Sequence, residues 1–164
     1  MAAPRATPFL AAIIRAWLVA GTLDIAIAVT YYPLTAGVTP VAILQGIASG
    51  LLGPAAFQGG AWTAALGLAC HYFIALLWTA FFFAVYPRVP PLRRSRALTA
   101  ALYGTFVSVV MTFVVLPLSH VRHRAFHPGF FAVATVILWF SIGLPLAVIG
   151  GGYHERRGLA AEAS

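Results

Sequence analysis

Residues 61–86 read AWTAALGLACHYFIALLWTAFFFAVY, without a single Arg, Lys, Asp or Glu, and this stretch decides the fold. About 20 apolar residues rising about 1.5 Å each cover the roughly 30 Å hydrocarbon core of a bilayer. The stretch therefore predicts a membrane-spanning helix. Residues 9–32, 98–118 and 130–150 have the same character, and together the four runs fill more than half of the chain. A composition of 62% hydrophobic and 8% charged residues cannot cover a water-soluble domain of 164 residues, so lipid is the expected solvent. Every connection is short, which predicts one integral membrane domain over residues 1–164. The fold class expected is all-α, a polytopic four-helix bundle.

The outward connection, residues 33–60, is uncharged and nearly as apolar as the spans. Thr39 before Pro40 reads as an N-cap with proline at the first helical position, and Gly50 or Gly53-Pro54 supplies the stop. A helix over 40–50 is too short to span, so the reading is an interfacial or re-entrant half-helix between spans 1 and 2. Ala42, Gly46 and Gly50 recur at i+4 as a stripe suited to close packing, with Gln45 and Ser49 as a polar face beside it. In the spans, small and weakly polar stripes mark the expected interior: Ala16, Ala20, Asp24 and Ala28; Thr63, Gly67, His71, Ala75 and Thr79; Gly104, Ser108 and Thr112; Ile137, Ser141 and Pro145. Pro145 removes an amide hydrogen, so the last span should deform there.

The ten basic residues are all Arg and they cluster. Arg5, Arg88, Arg93, Arg94, Arg96, Arg156 and Arg157 fall on one side of a four-span topology, against Arg122 and Arg124 on the other. This is a positive-inside pattern, with both termini cytoplasmic. It also accounts for the net charge of +7 without nucleic acid as a partner. Arg15 and Asp24 interrupt the first run, which favours a span over a cleaved signal sequence. Cys70 stands alone, so an intrachain disulfide is excluded.

Asp24 is the one acid inside a run, and a translocon scale sets about 2.5–3.5 kcal/mol against such a group at the bilayer centre. With the first two spans antiparallel, Asp24 and His71 lie at matching depth and are expected to face each other. They form either a buried polar clasp or a proton-responsive pair. The third connection places His120, His123 and His127 at i, i+3 and i+7, interleaved with Arg122 and Arg124. Three imidazoles suit zinc, but two arginines and the lack of any carboxylate oppose it. The loop reads as a cationic surface facing lipid phosphates or, alternatively, as a sensor of external pH, with no metal and no cofactor. Enzyme templates fail in turn. Gly46-Ile47-Ala48-Ser49-Gly50 misses the G-x-S-G of intramembrane proteases, and a haem would need a second deep axial ligand beside His71.

Three stretches carry a resemblance: IASGLLG at residues 47–53, GLACHYFIA at 67–75 and MTFVVLPLS at 111–119. They resemble a group of small bacterial inner-membrane proteins with four helices and no assigned function. More remotely, the second and third spans are similar to the YagU-like family, which is linked to acid resistance and whose long soluble insertions this chain lacks. The resemblance implies a bacterial inner membrane. The expected role is a non-catalytic accessory or assembly subunit partnered by lipid, another membrane protein or a second copy. The alternative is a small oligomeric proton-linked transporter or channel using Asp24 and His71.

Overall fold

The computed structural model describes residues 9–121 and 126–162. Among them every regular element is helical. Five segments are long and apolar enough to cross a membrane, by length and composition: α1 Phe9–Ala36, α2 Pro40–Gln58, α3 Gly60–Arg88, α4 Arg96–Leu118 and α5 Pro128–Gly158. The chain is a multi-pass membrane protein. Its large apolar side chains point outward all round, as with Leu18, Phe73, Phe113, Phe130 and Phe140, which water would not tolerate but lipid does.

The segments α1, α2 and α5 exceed the lengths expected of them, α5 running on to Gly158. The helix α1 runs four residues past Tyr32, straight through Pro33. A proline deletes one backbone bond without stopping a helix whose other carbonyls stay satisfied, and here Thr30 and Thr35 each donate a hydroxyl to the carbonyl four residues back. The segment α2 comprises an α-helix, Pro40–Leu52, and a 3₁₀ continuation, Gly53–Gln58. Thr39 caps it as expected, its hydroxyl accepting the Ala42 N–H at 3.2 Å. Gly53 ends the α-helical part with φ +60°, a left-handed conformation that favours glycine.

Prolines remodel α4 and α5 in the same way. Each contains a Leu-Pro-Leu, at residues 116–118 and 144–146, and each is a π-turn just before it, Met111–Val115 and Trp139–Gly143. The leucine preceding the proline donates its N–H five residues back, Leu116 to Met111 and Leu144 to Trp139. The proline ring crowds the preceding turn, which widens to accommodate it. A second π-turn, Ala147–Gly151, follows in α5.

The small stripes form the interior. Ala12, Ala16 and Ala20 of α1, Thr63, Gly67, Ala75 and Thr79 of α3, Gly104 and Ser108 of α4 and Ser141 and Pro145 of α5 are buried. Glycine lets backbones touch. A Cβ on Gly143 would sit 2.3 Å from the Ala100 carbonyl oxygen, and one on Gly104 would sit 2.9 Å from the Trp139 backbone. On α2 the expected stripe is corrected. Gly46 has nothing near it, whereas Gln45, Ala48 and Ser49 turn inward, and the glycine that admits α2 is Gly67, where a Cβ would meet the Leu44 carbonyl oxygen at 1.9 Å. The small residue sits on the partner helix because Gln45 needs the buried face for its amide.

The core is concentrated towards the arginine-bearing end. There Phe82, Phe83, Tyr86, Tyr103, Leu146 and Tyr153 pack with Ala12, Ala16 and Ala20, and the rings of Phe82 and Tyr103 meet edge to face at 4.9 Å.

Candidate functional site

Asp24 sits about three turns before the end of α1, on the face that meets α3 and α5. The Ser141 hydroxyl, fully buried in the first π-turn of α5, donates to its Oδ1 at 2.7 Å. His71 of α3 is not bonded to the carboxylate. Its Nε2 lies 2.8 Å from the Gly21 carbonyl oxygen of α1, a pairing that assigns the proton to that nitrogen. Neighbouring bonds fix the same helix pair: Trp17 Nε1 donates to the Tyr72 carbonyl at 2.7 Å, and the Thr22 and Tyr72 hydroxyls are 2.8 Å apart. The structure thus gives Asp24 and His71 separate partners, yet both line one cavity of about 270 Å³, walled by Tyr32, Ile74, Trp78 and Met111 among others.

A larger cavity of about 710 Å³ opens between α2 and the facing ends of α4 and α5, lined by Ser49, Phe57, Phe113, Pro117, His127 and Phe131 among others. Tyr32 and Ala134 line both cavities, so the two are neighbours.

The polar face of α2 is used for attachment. Gln45 Nε2 donates to the Gly60 carbonyl at 3.1 Å and reaches Thr63 Oγ1 at 3.4 Å. Ser49 donates to the Gly46 carbonyl at 2.6 Å, within its own helix and with no imidazole activating it. In the His-rich connection, residues 119–121 form bends rather than a helix. The His120 N–H donates to the Gly50 carbonyl at 3.0 Å, tying the end of α4 to α2. His127 packs on Phe130, ring centroids 5.0 Å apart, before α5. Arg122, His123 and Arg124 lie outside the described residues. Among the described residues, no three His, Cys, Asp or Glu side chains converge as metal ligands would.

Ser141 as the hydroxyl that holds Asp24, and Tyr32 as the wall shared by two cavities, were not evident from spacing. Ser141 carried one signal, its position four residues before Pro145 on the expected interior face. The chain matches no family model, no curated protein and no solved structure.

Proposed function

We propose that this chain is a non-catalytic four-span protein of a bacterial inner membrane, an accessory or assembly subunit with α2 as a half-helix on the outer side and both termini cytoplasmic. The use of intramembrane polar groups carries this reading. Asp24–Ser141, His71–Gly21, Ser108–Thr135 at 2.7 Å, Trp139–Thr105 at 2.8 Å and Tyr103–Trp78 at 2.5 Å each join two helices. Such bonds hold membrane helices together where no hydrophobic force does. A half-helix is supported by the 13 residues of α2 proper, which reach only about 20 Å at about 1.5 Å per residue. It is supported too by the bond from His120 at the end of α4 to Gly50, since α1 also ends and α3 begins at that end of the bundle. The bacterial location follows from the resemblance drawn above and the orientation from the arginines. The partners are the lipid bilayer with another membrane protein or a second copy.

A second reading, an oligomeric proton-linked transporter or channel, is favoured by one observation: the cavity holding Asp24 and His71 adjoins the larger outer cavity through Tyr32 and Ala134. Proton flux into proteoliposomes with an imposed potential separates the readings. The accessory role predicts flux equal to that of protein-free vesicles. Flux abolished by Asp24→Asn would establish transport instead.

A further inference from the structure

We infer that Asp24 anchors a binding site for a small hydrophobic organic cation, an alkylated or protonated amine with one aromatic or branched body. The inference goes beyond the accessory role and rests only on the chain lying within a bilayer.

Ser141 occupies Oδ1 and so orients the carboxylate. Among the described residues Oδ2 receives no hydrogen bond, and the one buried side-chain atom without a partner is Nε2 of His154, at the far end of the molecule. Oδ2 is therefore not sealed in by protein, and the space beside it is the 270 Å³ cavity that Asp24 lines. The titratable groups facing that cavity are Asp24 and Tyr32 from α1 and His71 from α3, whereas α2, α4 and α5 line it with Ile47, Met111, Ile137 and other apolar side chains. No Arg lines it, and His71 spends Nε2 on Gly21 rather than on the carboxylate.

This chemistry selects its ligand. A metal cation such as Ca²⁺ wants about six to eight oxygen ligands, and the cavity presents few oxygens besides a single carboxylate. A neutral apolar molecule would fit the walls but leave Oδ2 unpaired in a medium of low dielectric, where an opposite charge is attracted far more strongly than in water. An organic cation satisfies both: its charge faces Asp24, and its body lies against Met111, Ile74 and the aromatic ring of Trp78, which also attracts cations. The volume lies just below the roughly 300–1,000 Å³ of small-molecule sites, which sets the ligand at about one ring with its substituents. The outer cavity offers the approach, passing Tyr32.

The test is calorimetric titration of the purified full chain in detergent with benzyltrimethylammonium, set against neopentylbenzene, its neutral isostere of the same shape. The site predicts saturable binding of the cation at least about tenfold tighter than that of the isostere, a difference of about 1.4 kcal/mol. Asp24→Asn should remove that preference and leave the isostere's affinity within about twofold, and Trp78→Leu should weaken the cation more than the isostere. Equal affinities for both probes in the unaltered protein, or no saturable uptake of the cation, would overturn the assignment. That comparison needs no variant, so a misfolded Asp24→Asn protein cannot obscure it, and it needs no orientation in a membrane, so topology and ligand class are decided separately.

Discussion

At the end of the bundle that carries Arg88, Arg93 and Arg96, Phe82 and Leu146 are fully buried and Phe83, Tyr86, Tyr103 and Tyr153 close around them. At the opposite end Phe57 is 54% exposed, Phe113 and Phe130 are exposed as well, and a 710 Å³ cavity separates α2 from α4 and α5. Both ends carry several aromatic rings, so hydrophobicity alone does not explain the contrast. Close approach of the helices through small residues does, even though π-turns and Pro145 interrupt α5 at the closed end. The closed end is built from long helices whose small residues bring the backbones together, Ala12, Ala16 and Ala20 on α1 and Gly143 against Ala100. The open end is assembled from helix termini and a short helix punctuated by Pro33, Pro40, Pro54, Pro117 and Pro128. The Asp24 site lies where the two regimes meet.

The contrast makes graded predictions for thermal unfolding of the purified protein in detergent. The largest effect is expected from Gly143→Ala, whose methyl would meet the Ala100 carbonyl oxygen at 2.3 Å; about 3 kcal/mol should be lost, whereas Gly46→Ala at the open end, with nothing within 4 Å, should be neutral or slightly stabilising. Next comes Phe82→Ala, at about 2–3 kcal/mol because its cavity survives in lipid, against less than about 1 kcal/mol for Phe113→Ala. A Phe113→Ala loss as large as that of Phe82→Ala would erase the distinction between the ends. At the boundary, a double-mutant cycle of Asp24→Leu with Ser141→Ala should show coupling of about 0.6–1.7 kcal/mol, the mean and the maximum for hydrogen bonds between membrane helices. Additivity in that cycle would remove the bond from the account. The smallest effect should be Arg96→Ala. Its ion pair with Glu155 is 3.7 Å long between half-exposed side chains, and removing it should cost no more than about 0.5 kcal/mol, screened further by salt.

Much of this layout was legible from residue patterning. The helical class, the membrane solvent and the interior faces followed from run length and from stripes such as Thr63, Gly67, Ala75 and Thr79, because membrane helices pack through small residues whatever their partners. The partner of Asp24 was not legible, since depth matching pairs it with His71, and only the three-dimensional rotation of α5 brings the Ser141 hydroxyl to the carboxylate. The inward face of α2 was misread for a related reason. Glycines at i+4 look like a packing stripe, but a buried glutamine has the stronger claim on the interior, because an unpaired amide in hydrocarbon costs more than a distant backbone.

The most direct test of the two-ended arrangement is single-cysteine labelling of intact cells with a membrane-impermeant maleimide, after Cys70→Ala, at Thr39 and at Phe57, the two ends of α2. Both positions are expected to label from outside if the proposed half-helix begins and finishes at the open end. Labelling of Thr39 from outside with Phe57 reached only after the membrane is permeabilised would make α2 a fifth crossing and contradict it.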